Sequence, residues 1–323
     1  MKFIVNFFAL SLFLVFSFSL YSCKHSSQVV PYDVDVEEIF KPLEPNESDN
    51  PNDSTYGAEK IPGCILELDL KTDNDEVYIL FEKLTLLDIN SKIIQNLFEF
   101  VQQELCEYGF VNQSFSLPSD AVLNLIAEGN NYREAALKVI NMEKEAFDAQ
   151  LDTIASFNSP FNIRFNIYPV YLDSKFVTYR LNAYSYTGGA HGITISHLRT
   201  FDLMSGNELK LEDIVKSSDI KEVRQDVIAQ MAYSYPIYEN ITTVPQYLDS
   251  LNVFMGGFHG EGDAPDAQLI TEDNYPLPDP AITENGLVFI YQMYELTPAS
   301  DGCPVILIPY SDIKGCLKDN IGK

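Results

Sequence analysis

Hydrophobic and polar positions change their rhythm several times along the chain. Apolar residues run almost unbroken from Phe3 to Leu20. Residues 24–60 then show no period: Pro31, Pro42, Pro45 and Pro51, with Pro62 just beyond, punctuate a polar, acidic stretch whose composition buries no core. Cys64-Ile-Leu-Glu-Leu-Asp-Leu70 alternates as a half-buried strand does, and Val77–Leu87 supplies another. From Asn90 the period lengthens. Ile93, Ile94, Leu97, Phe98, Val101 and Leu105 form a helical stripe closed by Gly109, and helical spacing recurs over Ser119–Ala127 and Tyr132–Phe157. Ser159-Pro160 marks the return to strands.

Two strands follow, Phe161–Leu172 and Phe176–Tyr186, joined by Asp173-Ser174 in a tight hairpin. A glycine-rich turn leads into a third over 193–203, where Ile193, Ile195, Leu198 and Phe201 are the apolar set. The run of three is predicted to be antiparallel. Gly188 and Gly189 supply the positive φ such a turn requires. Asp202 and Gly206 bracket a second turn, and Glu212-Asp213 sit where a helix N-terminus favours carboxylates. Helices are predicted over 211–216, over 219–235 behind Ser217-Ser218-Asp219, and over Thr243–Phe254, where Pro245 suits a first turn. Gly286–Leu296 and Val305–Pro309 read as strands and Ser311–Leu317 as a short closing helix. The predicted fold class is α+β: two intimate subdomains, 61–158 and 159–323, with an antiparallel sheet and packed helices.

With 46% hydrophobic residues among 323, the chain can bury a substantial core. Its 47 acidic against 21 basic residues give a formal charge of −26, which excludes nucleic acid as a partner and favours cationic proteins or divalent ions. Solubility outside the cell explains the same charge without any partner. Met1-Lys2, the apolar run and Leu20-Tyr-Ser-Cys23 resemble a bacterial lipobox. Residues 1–22 are therefore predicted to be a lipoprotein signal peptide and Cys23 the lipidated residue. Residues 23–60 form an acidic tether, and the protein is lipid-anchored at the cell envelope, on its periplasmic or outer-membrane surface. In that oxidising setting Cys64, Cys106, Cys303 and Cys316 allow three disulfide connectivities. Cys64–Cys106 and Cys303–Cys316 are expected, each stapling one subdomain. No CxxC pair occurs, and neither a metal nor a cofactor is expected.

Tyr186, Gly188, Gly189 and His191 form the candidate binding or turn motif. A histidine between glycines at a strand end suits a general base or a ligand, and it equally suits a side chain that pins the turn. A base needs an orienting carboxylate, for which Asp202, Asp213 and Glu295 are the candidates. His197 and His259 would complete a metal triad only if the fold gathered them. No Lys-Ser/Thr follows Gly188-Gly189, and neither Gly-x-Ser-x-Gly nor HExxH occurs. Glu261, Asp263 and Asp266 in the loop Gly256–Asp266 offer oxygen ligands suited to calcium, without EF-hand spacing.

Two ordered blocks carry a family resemblance. Tyr186-Thr-Gly-Gly-Ala-His-Gly192 and Phe201-Asp-Leu-x-Ser-Gly-x-x-Leu-x-Leu-x-Asp213 make up the first. The second comprises Glu284-Asn-Gly-Leu-Val-Phe-Ile-Tyr291, Tyr294-Glu-Leu-Thr-Pro298, Gly302 and Ile308-Pro-Tyr-Ser-Asp312. Together they resemble an uncharacterised extracytoplasmic domain that also forms the outer part of the RsiV anti-sigma factor and a non-catalytic part of the PdaC deacetylase. The likeness spans about 160–320, and more weakly 60–160. It implies Gly188, Gly189, His191, Gly192, Asp202, Gly206, Tyr294 and Pro309 as fold-making positions. Because RsiV binds lysozyme, the resemblance also implies a binding module for a cell-wall-related ligand, a lysozyme-like protein or a peptidoglycan fragment. The alternatives are an envelope hydrolase or deacetylase using His191 with nearby carboxylates, and a purely structural envelope protein. Binding predicts exposed tyrosines on an open rim and His191 hydrogen-bonded into backbone. Catalysis predicts His191 in a pocket beside a carboxylate.

Overall fold

The computed structural model describes residues 39–43, 65–73, 77–87, 90–108, 161–186, 191–258 and 269–321, with a few isolated positions between 134 and 141. Cys23, Cys64, the signal and tether segments, Gly188-Gly189, the helices expected over 119–157 and the acids of the 256–266 loop lie outside the described residues, as does the Cys106 side chain.

Five strands, β1 (Ile65–Asp73), β2 (Val77–Leu87), β3 (Phe161–Leu172), β4 (Phe176–Tyr186) and β5 (Ile193–Asp202), lie side by side in sequence order. Every pair is antiparallel except β2–β3, which is parallel. The predicted run of three, β3–β5, is antiparallel as expected, and the parallel β2–β3 pair that joins it to β1–β2 has its cause in the connection. A parallel pair requires a long crossover, and helix α1 (Ser91–Tyr108) lies within it. The expected boundary at 158/159 also falls inside this crossover, so one sheet spans both predicted subdomains.

The register divides the side chains of β4 and β5 cleanly. Tyr179, Leu181 and Ala183 sit opposite Arg199, His197 and Ile195, and Thr178, Arg180, Asn182 and Tyr184 sit opposite Thr200, Leu198, Ser196 and Thr194. Partners across a ladder share a face. The first set lies under α1, whose predicted stripe Ile93, Ile94, Leu97, Phe98 and Val101 is buried together with Phe100. The Phe100 ring meets His197 edge-on at 5.6 Å. Each such aromatic or aliphatic side chain stabilises the fold by about 1.5–3 kcal/mol on full burial. Tyr179 is fully buried, and its hydroxyl accepts the Leu87 N–H at 3.0 Å, tying β4 to the end of β2.

A second, antiparallel sheet stacks on the other face. It consists of β6 (Ala281–Ile282), β7 (Gly286–Ile290) and β8 (Val305–Pro309). Ala281, Val288, Ile290 and Val305 turn inward onto Leu198 of β5 and Ile39. Ile282, Leu287, Phe289, Ile306 and Ile308 turn outward into the main core. There they meet the short helix α2 (Leu211–Ile214), Val223, Val227, Ile228 and Met231 of α3 (Ile220–Ser234), and Tyr247, Leu248 and Leu251 of α4 (Val244–Phe258). The chain closes with α5 (Tyr310–Ile313). The order of layers is therefore helix, five-stranded sheet, three-stranded sheet, helices: an α+β fold. β7 and β8 approach so closely at Gly286 that a Cβ there would fall on the Ile308 carbonyl.

Three departures from expectation have local causes. β7 stops at Ile290 instead of Leu296 because residues 292–295 form a turn, in which the Glu295 N–H donates to the Gln292 carbonyl at 3.1 Å. β6, only two residues long, has no detectable sequence period. The Cys303–Cys316 disulfide is not formed. Cys316 is buried in the core beneath α3 and α4, whereas Cys303 packs between the sheets, so the two thiols lie on opposite sides of the small sheet.

Candidate functional site

The two motif blocks, about a hundred residues apart in sequence, meet in space. His191 is exposed at the entrance to β5, and its Nε2 lies 2.7 Å from the Tyr294 hydroxyl. Its Nδ1 lies 3.0 Å from the Gly192 carbonyl. A carbonyl only accepts, so Nδ1 carries the proton, and Nε2 accepts from the Tyr294 O–H. The two rings stack with centroids 6.0 Å apart. Both nitrogens of His191 are thus occupied, and no described carboxylate is paired with it. Asp202 is instead held below the usual carboxylate range by the Ser205 backbone N–H, in its own turn. Asp213 accepts from the Lys210 N–H at the start of α2.

Tyr294 adopts φ +68°, a left-handed conformation uncommon for a side chain of its size. The turn that imposes it is anchored by Glu295, whose carboxylate accepts the Gln292 N–H at 2.8 Å. Burial pushes the Glu295 carboxyl up, and this backbone hydrogen bond opposes the shift. The same turn aims the Gln292 side-chain amide at the outer edge of β5. Gln292 Nε2 donates to the Ser196 carbonyl at 2.8 Å, and Gln292 Oε1 accepts the Ser196 N–H at 3.2 Å.

Beneath this junction the three-stranded sheet covers only part of its neighbour's face. Where it does, Thr178 and Thr200 form a closed ring with Ile282. The Ile282 N–H donates to Thr200 Oγ1 at 2.9 Å, the two hydroxyls lie 2.8 Å apart, and the Thr178 hydroxyl donates to the Ile282 carbonyl. Thr178 donates to the carbonyl, so the Thr200 proton must point at Thr178 Oγ1. All four buried polar groups are satisfied.

Where it does not, the face opens into a cavity of about 510 Å³. Its floor is built from alternate positions of three adjacent strands: Asn162, Arg164 and Asn166 of β3, Arg180, Asn182 and Tyr184 of β4, and Thr194 of β5. Tyr186, the first residue of the predicted motif, lies on the same face opposite Asn162. The ring of Tyr184, 36% exposed, leans over Gly192 so closely that a Cβ there would meet its hydroxyl. Gly192 therefore links the cavity rim to the His191–Tyr294 pair. Tyr294 is also exposed, at 37%.

Arg180 dominates the cavity's charge. Phe40 covers its guanidinium, with Cζ 3.3 Å from the ring centroid. Among the described residues, Nε and Nη1 of Arg180 are buried without an acceptor, and Oδ1 of Asn182 is buried without a donor. Burial lowers the Arg180 pKa, and the groups that offset this are Tyr168 and Cys303, neither of them a carboxylate. The Cys303 thiol donates to the Thr194 carbonyl at 3.4 Å, and burial pushes it up.

A second, smaller cavity of about 290 Å³ lies at the outer edge of β5. Its charges are mutually paired: Lys210 reaches Glu208 at 2.9 Å and Asp279 at 3.3 Å, and Arg199 lies 3.9 Å from Glu208. His197 stands on its wall, pushed down to about 4 by burial, with Arg199 and Lys210 adding to the effect. Among the described residues no group of three or more His, Cys, Asp or Glu is arranged to hold a metal ion.

The structure therefore brings His191 beside Tyr294 and sets Tyr186 on the cavity face. The residues that sequence reasoning missed are Arg164, Arg180 and the three asparagines. A signal for them existed: two neighbouring strands, each alternating apolar with large polar side chains, place their polar sets on one face.

Residues 213–311 match the family model described as "Protein of unknown function (DUF3298)". This DUF3298 domain contains Gln292 and Tyr294 but not His191 or β3–β5. No curated protein matches the chain. Among solved structures, a member of the same family from Bacteroides fragilis is similar at 18% identity and a TM-score of 0.45, over 80% of this chain and 94% of that one. A DUF3298 family protein from Pseudomonas aeruginosa is similar at 16% identity and a TM-score of 0.46, over 82% and 97%.

Proposed function

We propose that this chain is a non-catalytic binding module of the bacterial cell envelope, lipid-anchored through Cys23. Its ligand is a cell-wall-related molecule, a peptidoglycan fragment first. One juxtaposition carries the reading: an open polar cavity is rimmed by the exposed Tyr184, and the neighbouring histidine has both nitrogens already engaged. A general base must reach the proton it abstracts, and a carboxylate commonly orients it. In this structure His191 Nε2 is spent on Tyr294 and no described carboxylate is paired with the ring, which disfavours the hydrolase alternative. Asparagines, arginines and a half-exposed tyrosine on a rigid sheet instead suit the hydroxyl and amide groups of a sugar. The resemblance of both motif blocks to the outer domain of RsiV supports an envelope-facing binding role. A basic lysozyme-like protein is the second reading, favoured by the net charge of −26.

Calorimetric titration separates the two, with muropeptides and with lysozyme, each at low and near-physiological salt. The expected result is saturable muropeptide binding that survives salt, without turnover, and is weakened by Tyr184→Ala. Lysozyme heats that persist at the higher salt while muropeptides stay silent would make the protein ligand the correct one. Silence from both would sink the binding reading.

A further inference from the structure

We infer that the cavity on the five-stranded sheet is an oxyanion site, in which Arg180 receives a carboxylate borne by the ligand and Arg164 flanks it. This inference deepens the proposed function, since it names the group by which that same site holds its ligand. In a chain with more than twice as many acidic as basic residues, two guanidiniums share one sheet face, and no carboxylate is among the residues lining the cavity they enter. Elsewhere in the molecule cavity cations are neutralised, as Lys210 is by Glu208 and Asp279. Arg180 is not: Phe40 covers one face of it, and among the described residues Nε and Nη1 have no acceptor.

A buried guanidinium without acceptors is unfavourable, and a planar two-oxygen anion is the partner its fork geometry matches. Arg164 is held on the cavity floor by donating from Nε to Asn162 Oδ1 at 3.1 Å, which fixes a second guanidinium on the same face as Arg180. Asn182, with its own buried unpaired Oδ1, adds an acceptor for a ligand N–H or hydroxyl beside the anion. The chemistry required is thus an acid group with an adjacent donor, as on an acidic sugar or at the carboxylate of a short peptide.

The test uses the full chain in detergent, as wild type, Arg180→Gln and Arg164→Gln, each checked for folding by circular dichroism and melting. The calorimetric probes are a disaccharide containing N-acetylmuramic acid, the neutral N,N′-diacetylchitobiose, and the peptide Ala-Ala with its C-terminus free or amidated. The inference expects the acidic member of at least one pair to bind about tenfold or more tightly than its neutral counterpart, and Arg180→Gln to abolish that preference. Preference in the sugar pair identifies an acidic glycan; preference in the peptide pair alone keeps the anion site and overturns the glycan reading. Equal binding of both disaccharides, unchanged in Arg180→Gln, overturns the anion site and leaves the glycan reading standing. No binding by any probe overturns both. If Arg180→Gln does not fold, Arg164→Gln decides, with the preference reduced several-fold.

Discussion

The threonine ring that clasps β6 to the five-stranded sheet can be opened one bond at a time. Thr200→Val keeps the side-chain shape and removes the acceptor that serves the buried Ile282 N–H among the described residues. An orphaned buried donor costs about 1–3 kcal/mol. Thr178 continues to serve the Ile282 carbonyl, so the expected loss is about 2 kcal/mol. In a protein of this size that lowers Tm by roughly 3–4 °C. Thr178→Val should cost less, about 1 kcal/mol, because an under-satisfied carbonyl is better tolerated than an orphaned N–H. The double variant should fall short of the sum, since the hydroxyl–hydroxyl bond is lost only once. Urea titration at constant m-value gives the free energies, and Thr200→Ser controls for the hydroxyl itself. The reasoning fails if Thr200→Val lies within about 0.5 kcal/mol of wild type, or if Thr200→Ser is as damaging as Thr200→Val.

His197 is neutral in the fold down to about pH 4, whereas in the unfolded chain it takes up its proton near 6.5. Between those values the unfolded state binds more protons, so stability falls as pH is lowered, by at most about 3 kcal/mol. His197→Met should flatten that part of the stability–pH curve while the shared carboxylate titration below it remains. Gly286→Ala drives a methyl group into the Ile308 carbonyl and should destabilise by about 3 kcal/mol or more, with loss of soluble protein. Gly302→Ala, at φ +67° and ψ −133° with nothing within 4 Å of the new carbon, should cost about 1–3 kcal/mol from backbone strain alone; comparing the two melts separates strain from a steric clash.

Strand and helix positions were legible wherever burial follows a simple period. Val77–Leu87, Phe161–Leu172, Phe176–Tyr186 and Val305–Pro309 appear with the bounds their alternation predicts, and α1 follows its stripe to within a residue at each end. The parallel β2–β3 pairing was not legible, because period two specifies which side chains face the core and says nothing of strand direction. Of the site, the residues of both motif blocks were legible as a resemblance, but neither their meeting in space nor the partner of His191 was. Tyr294, 103 residues further along the chain, reaches it from a turn whose geometry depends on the half-buried Glu295. Arg180 went unnoticed because an arginine in an alternating strand reads as a solvated position, and it is the stacking of Phe40 that converts it into a covered one.

Gln292 has a consequence for how copies of this protein behave when crowded at a surface. Its amide presents one donor and one acceptor to Ser196, as an additional strand would, and a few residues further along the Asp202 N–H and Thr200 carbonyl of β5 are taken by residues 207 and 209. Strand addition along this border must first displace both clasps, so growth of a continuous intermolecular sheet through β5 is obstructed. A single side chain thus acts as a guard against self-association, in a segment where sequence alone suggested nothing beyond the end of a strand.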